Sequence, residues 1–124
     1  MNLGRETETL EFKKSTGELK EGIISIGAIL NKHQKGELYF GVRPDGTPIG
    51  QEISEKTLRD ISQAISNHIE PQIFPEIQTV RIDGKECILV RFEGYNTPYF
   101  AYDVPASALR TRTRFCPSRS LWPT

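Results

Sequence analysis

Three things are scarce in this 124-residue sequence: long apolar runs, cysteine and net charge. The longest hydrophobic stretch, around Ile23 to Leu30, is interrupted by Ser25 and Gly27. A membrane-crossing helix needs roughly 20 apolar residues in succession, so no membrane partner is expected. Only two cysteines, Cys87 and Cys116, and two histidines occur, and their spacing matches neither a disulfide framework nor a metal site. Cys87 lies in an apolar strand pattern and reads as a buried, reduced thiol. Arg5, Glu6 and Glu8 stand where a secretory leader would carry its apolar region. Together these absences predict a cytoplasmic protein.

What is present suits one small globular domain, with 36% hydrophobic and 26% charged residues in a length that holds a single core. The zero net charge hides an uneven distribution. Residues 1–102 hold 12 Lys/Arg against 15 Asp/Glu, and residues 103–124 hold four Arg against one Asp. The body therefore has no general attraction for a polyanion, and any nucleic-acid contact has to come from a local basic patch.

Hydrophobic periodicity predicts the elements in order. Thr7 to Lys13 alternates, with Leu10 and Phe12 on one face and Thr9, Glu11 and Lys13 on the other, as in a half-buried strand. After Ser15-Thr16-Gly17, a helical stripe of Leu19, Ile23, Ile26 and Leu30 ends in the polar run Asn31 to Gly36. Glu37 to Val42 is a strand, Pro44-Asp45-Gly46 turns the chain, and a short return strand is expected near Pro48 to Gln51. A second helix has Ser54 as its N-cap and Ile53 stapled to Leu58. It continues through Ile61, Ile65 and Ile69 and stops at Pro71. Val80 to Asp83 and Lys85 to Gly94 form a hairpin about Asp83-Gly84, its second strand buried on both faces and central in the sheet. Pro98 to Tyr102 begins one more strand. The predicted fold class is α/β (α+β), a single mixed β-sheet packed by two helices in the order β-α-β-β-α-β-β-(β).

After Tyr102 the texture changes: Lys, Ile and Glu disappear, Arg alternates with Thr, and the only Trp appears. Back-translated with one base restored before Asp103, the stretch admits Gly-Arg-Pro-Arg-Ile-Arg-Val followed by an acidic Asp-Glu-Asp-Glu turn. The expectation is that a single-base deletion replaced the native C-terminus. The domain would then span 1–102, and the 103–124 tail would be non-native and disordered, with Arg110 to Trp122 carrying no functional argument. The alternative is a flexible basic arm that contacts nucleic acid.

Several stretches line up with a known family. They are Glu6-x-x-x-x-Glu11-Phe12-Lys13, then Ala28-x-x-Asn31 at a helix end, then Gly36-x-Leu38-Tyr39-Phe40-Gly41-Val42 and Asp45-Gly46-x-x-x-Gly50, with Pro98-Tyr99-Phe100 later. In order and spacing they resemble the AlbA-like domain of Schlafen proteins, also found in bacterial proteins described as transcriptional regulators or divergent AAA proteins. That family usually carries Gly-Gly where Lys35-Gly36 stands here, and Asp-Asp-Gly where this chain has Pro44-Asp45-Gly46. Its Pro-Tyr-Tyr/Phe stretch leads into Gly-Arg-x-x-Ile-Arg-Val, the element that the restored reading frame supplies.

The resemblance implies a regulatory module that binds nucleic acid, DNA or RNA, at the N-terminus of a longer bacterial protein whose C-terminal domains are missing here. Lys13, Lys14, Lys32, Lys35 and Arg43 are then the candidate phosphate contacts, with Asn31 and the backbone at Gly36 positioning the strand. A second implied activity is metal-dependent endoribonuclease action. Glu6 and Glu11 match the first two members of a three-carboxylate site that would hold Mg²⁺ or Mn²⁺ and activate water. Pro44 occupies the third position, so Asp45 would have to serve from beside it. Outside that reading no cofactor is expected. ATP binding of the divergent AAA type is disfavoured, because Gly36-x-x-x-x-Gly41 is followed by Val42-Arg43 instead of Lys-Ser/Thr and crosses a strand. His33 and His68 read as surface histidines at helix ends. DNA against RNA, and monomer against homodimer, are left open.

Overall fold

The alternation and the helical stripe of the first 40 residues build a β-α-β unit. β1 (Leu10–Lys13) passes through a 3-10 turn at Thr16–Glu18 into α1 (Leu19–His33), which returns the chain so that β2 (Lys35–Phe40) runs parallel to β1. α2 (Glu55–His68), β3 (Ile69–Glu70), β4 (Glu76–Ile82), β5 (Lys85–Glu93), β6 (Phe100–Ala101) and β7 (Val104–Pro105) follow. The computed structural model describes residues 4–102 and the strand Val104–Pro105.

The main sheet is mixed and four-stranded, in the order β1-β2-β5-β4, with every pair except β1–β2 antiparallel. Both helices pack on one face. Ile23, Ile26 and Leu30 of α1 and Ile61 and Ile65 of α2 meet Leu38, Phe40, Ile88, Val90 and Phe92 of the sheet. Each such side chain contributes about 1.5–3 kcal/mol by leaving water. The opposite face carries a smaller cluster of Phe12, Val42, Ile82 and Cys87, flanked by Leu10, Tyr39 and Val80. β5 is central, and Cys87 to Val90 are buried without a break, as the two-sided apolar pattern predicts.

Local signals account for the boundaries. Ser54 caps α2 through a reciprocal box in which the Thr57 N–H donates to Ser54 Oγ and the Ser54 N–H donates to Thr57 Oγ1. Asp83 (φ 54°) and Gly84 (φ 76°) make the tight primed turn that joins β4 to β5.

Four details depart from the sequence reading. α1 closes on Gln34, left-handed at φ 71°, whose N–H donates to the carbonyls of Ile29 and Leu30, so Gly36 lies inside β2 and is not part of the helix end. The return strand near Pro48 shrinks to one bridge between Val42 and Pro48. β4 begins at Glu76, because the nine residues of β5 offer Glu76 to Thr79 partners from Arg91 to Ile88. The chain after Pro98 does not extend the main sheet. β6 pairs with β3 and β7 in a second, three-stranded sheet, so the single predicted sheet becomes a main one and a small one. Burial explains this, since Tyr99 is 1% exposed and its burial draws β6 against α1. Cys116 and the predicted change of character at 103 and 106–124 lie outside the described residues.

Candidate nucleic-acid interface

The opening motif organises the outer edge of β1. Glu37 N–H donates to Thr9 O and Gly41 N–H to Lys13 O, so the odd-numbered residues of this strand face β2. Leu10, Phe12 and Lys14 therefore turn their N–H groups outward. All three are filled locally. Leu10 donates to Thr7 O (3.4 Å), Phe12 to Glu6 Oε2 (3.0 Å) and Lys14 to Glu18 Oε1 (3.2 Å). Glu6 is thus an edge-strand cap, and a capped edge cannot recruit another strand. Glu11 points to the helix-covered face and pairs with Lys13 at 3.4 Å, both side chains being largely buried.

Asn31 and Gly36, predicted to position the strand for a ligand, are engaged inside the fold. Asn31 Nδ2 donates to Tyr99 O (3.0 Å), and Tyr99 N–H donates to Asn31 Oδ1 (2.6 Å). The amide thereby locks the end of α1 to the segment that enters β6. A Cβ on Gly36 would lie 2.7 Å from Ile29 Cγ2 and 2.8 Å from Thr9 O, so only glycine lets α1 and β1 approach β2 this closely. Gly36 and Gly41 sit at the two ends of β2, as expected, and not in a strand-to-helix loop that cradles phosphate.

The candidate cations fall into two groups. Lys13 O accepts from both Gly41 and Val42, which brings Lys13, Lys14 and Arg43 together at the C-terminal ends of β1 and β2. Lys32, in the last turn of α1, and Lys35 lie at the other end, five strand steps or about 17 Å away. At that second end an open cleft of about 630 Å³ is bordered by Thr7, Leu10, Lys35, Glu37, Phe74, Glu76, Arg91 and Glu93. Strand register explains the grouping: Leu10, Glu37, Arg91 and Glu76 stand in one cross-strand row, and Lys35 is opposite Glu93. Arg91 Nε is 3.2 Å from Glu37 Oε2. Glu93 accepts the Tyr95 phenol proton at 2.6 Å, which pushes the Tyr95 pKa up. Phe74 stands at the rim with 87% of its surface exposed. Sequence reasoning missed Phe74, which lies in an aperiodic stretch before Pro75. It also passed over Arg91, although a charge set between Val90 and Phe92 in the apolar run of β5 is itself a signal.

The three carboxylates expected to form a metal site are each engaged separately in this structure. Among the described residues no group of three or more His, Cys, Asp or Glu side chains could hold a metal ion. Glu6 caps Phe12 and Glu11 pairs with Lys13. Asp45 closes its own turn by accepting from the Thr47 N–H at 3.0 Å. Hydrogen bonds from the Thr47 side chain and backbone, with a smaller pull from Arg43, hold the Asp45 carboxyl below the usual carboxylate range. Both histidines are in last helical turns, as predicted. His33 Nε2 is 3.1 Å from Glu8 Oε1 but off the line of a hydrogen bond, so that contact is electrostatic proximity only. His68 stacks on Tyr102 at 4.2 Å.

A β-α-β unit with a capped edge, an Asn–Tyr lock and a hairpin completing the sheet is the arrangement into which the family motifs fold. The family model described as Schlafen, AlbA_2 matches residues 6–114, and the chain belongs to that family. Two solved structures share its fold. One is the N-terminal domain of a putative ATP-dependent DNA helicase RecG-related protein from Nitrosomonas europaea, 20% identical with a TM-score of 0.64, the match covering 95% of this chain and 86% of that one. The other is the DIP2311 protein from Corynebacterium diphtheriae, 16% identical with a TM-score of 0.62, the match covering 77% of this chain and 20% of that one. This chain thus corresponds to about a fifth of the Corynebacterium chain. No curated protein matches the sequence. No helix among the described residues is long and apolar enough to cross a membrane.

Proposed function

We propose that this domain is a nucleic-acid-binding module of a longer, cytoplasmic regulatory protein, and that it grips a single strand at the Phe74 cleft. The observation that carries the reading is an 87%-exposed phenylalanine standing beside Lys35 and Arg91 in one cleft. An exposed aromatic ring is a stacking platform for a base, and Lys35 and Arg91 are the cations beside it that would follow the backbone, set among the carboxylates of Glu37, Glu76 and Glu93. Family membership and the helicase-related name of the Nitrosomonas relative point the same way. The much longer Corynebacterium chain supports a modular role, and the buried free thiol of Cys87 fits a reducing compartment.

Fluorescence anisotropy with labelled single-stranded DNA, single-stranded RNA and duplex tests this on the full chain. Stacking is worth about 1–3 kcal/mol per base, so Phe74→Ala should raise Kd for single strands by about 5- to 150-fold. Two phosphate contacts predict a shallow salt dependence, with a log–log slope of about −1.4. Binding that ignores Phe74→Ala, or that disappears only when the tail arginines are changed, would overturn the proposal.

A further inference from the structure

The two edges of the main sheet are treated differently. The β1 edge is short and its three outward N–H groups are occupied, as described above. At the other edge β4 runs for seven residues, Glu76–Ile82. Its two-residue turn makes Ile82 and Lys85 the closing hydrogen-bonded pair. Bonded and non-bonded pairs then alternate, so Ile77, Thr79 and Arg81 turn both N–H and C=O away from β5. No hydrogen bond from the described residues reaches these outward backbone groups. The usual edge defences are missing as well. β4 has no proline and no lysine, and its one arginine is drawn back toward β5, Arg81 Nη2 lying 3.3 Å from Glu86 Oε2.

We propose that β4 is a dimerisation edge: two copies of this chain pair antiparallel about a two-fold axis at Thr79, joining their sheets into a continuous eight-stranded one. The register follows from which groups are free. Centring on Thr79 sets Thr79 opposite its symmetry mate, Ile77 opposite Arg81 and Arg81 opposite Ile77. All three outward residues of each strand are then hydrogen-bonded pairs, and a shift of the centre to Gln78 or Val80 loses one of them. Charge selects the direction. A parallel copy would stack Glu76 on Glu76 and Arg81 on Arg81, whereas an antiparallel copy keeps like charges at opposite ends. Thr79 is exposed, so α2 does not cover the meeting line. Facing threonines are a favourable cross-strand pair, and the aliphatic stem of Arg81 can cover the half-buried Ile77. This inference stands on the edge geometry and is independent of the Phe74 cleft.

The test is sedimentation equilibrium of the full chain over a range of concentrations, with circular dichroism confirming the fold of each variant. Wild-type chain should sediment as a dimer at high concentration. Thr79→Pro removes an N–H that the monomer does not use, and Thr79→Lys and Thr79→Glu each place like charges on the two-fold axis. Each of the three should raise the dimer dissociation constant by at least about tenfold. An equimolar mixture of Thr79→Lys and Thr79→Glu should dimerise again. A wild-type chain that stays monomeric, variants that dimerise as the wild type does, or a mixture that fails to recover would each overturn the proposal.

Discussion

Asn31→Ala removes the whole lock between α1 and the Tyr99 segment, and its effect can be worked from the geometry. Two hydrogen bonds disappear, the Tyr99 N–H to Oδ1 at 2.6 Å and Nδ2 to Tyr99 O at 3.0 Å. Each is worth about 0.5–1.5 kcal/mol net, and the two part-buried backbone groups of Tyr99 are left without partners, which adds a desolvation cost. The sum is about 2–4 kcal/mol, a large share of the roughly 5–15 kcal/mol that holds a domain of this kind. Thermal unfolding followed by circular dichroism should show a midpoint lowered by roughly 10–20 °C. Urea unfolding should show a lower midpoint with an unchanged slope. Asn31→Asp sharpens the test. It keeps the acceptor for the Tyr99 N–H but turns a carboxylate oxygen toward Tyr99 O. At neutral pH it should be no more stable than Asn31→Ala, and it should recover as acid protonates the new carboxyl and restores a donor. An Asn31→Ala protein within about 0.5 kcal/mol of wild type would refute the lock. Nucleic-acid binding lost by a variant of unchanged stability would instead restore Asn31 as a contact residue.

Two other substitutions read the remaining structural assignments. Glu6→Ala uncovers the Phe12 N–H on the edge of β1 and should lower stability by about 1 kcal/mol while increasing concentration-dependent aggregation, whereas Glu6→Gln keeps the acceptor and should behave as wild type. Light scattering and urea titration compare them, and an equal loss in both would show that charge, not hydrogen bonding, is what Glu6 supplies. Burial pushes the Cys87 thiol up, so the folded protein holds its proton at a pH where the unfolded chain gives it away. Stability from this source is complete below the unfolded thiol's pKa and is lost as pH rises toward the folded one. Urea midpoints should therefore fall on the alkaline side of neutrality, and Cys87→Ala should flatten that fall.

The elements whose signals are local were legible in the sequence. Ser54, just ahead of the apolar stripe, announces the α2 cap. Asp83-Gly84 announces the hairpin, and the unbroken apolar run of β5 announces a strand buried on both sides. The family motifs were legible as spellings but not as roles. Asn31 looks like a polar helix end until Tyr99, 68 positions on, arrives to take both its hydrogen bonds. Gly36 looks like a helix terminator until Ile29 and Thr9 close in on it, and the spelling around Glu6 does not show that its carboxylate folds back to accept the Phe12 N–H. β3 escaped for the same reason, being two residues whose partner lies in β6. Phe74 has neither periodicity nor a motif around it, and its exposure emerges only once β4 and β5 fix the rim of the cleft.

The position of β5 between β2 and β4 bears on how the protein is made. A ribosome that has released residues 10–40 has delivered β1, α1 and β2, and Glu6 already seals one side of that fragment. The other side of β2 stays bare until Lys85–Glu93 emerges, since no earlier strand borders it in the finished sheet. Through that interval the nascent chain presents an unpaired edge backed by Leu38 and Phe40, the kind of surface that attracts chaperones and neighbouring nascent chains. A pause in translation between residues 41 and 84 prolongs the hazard, and one placed after Glu93 does not.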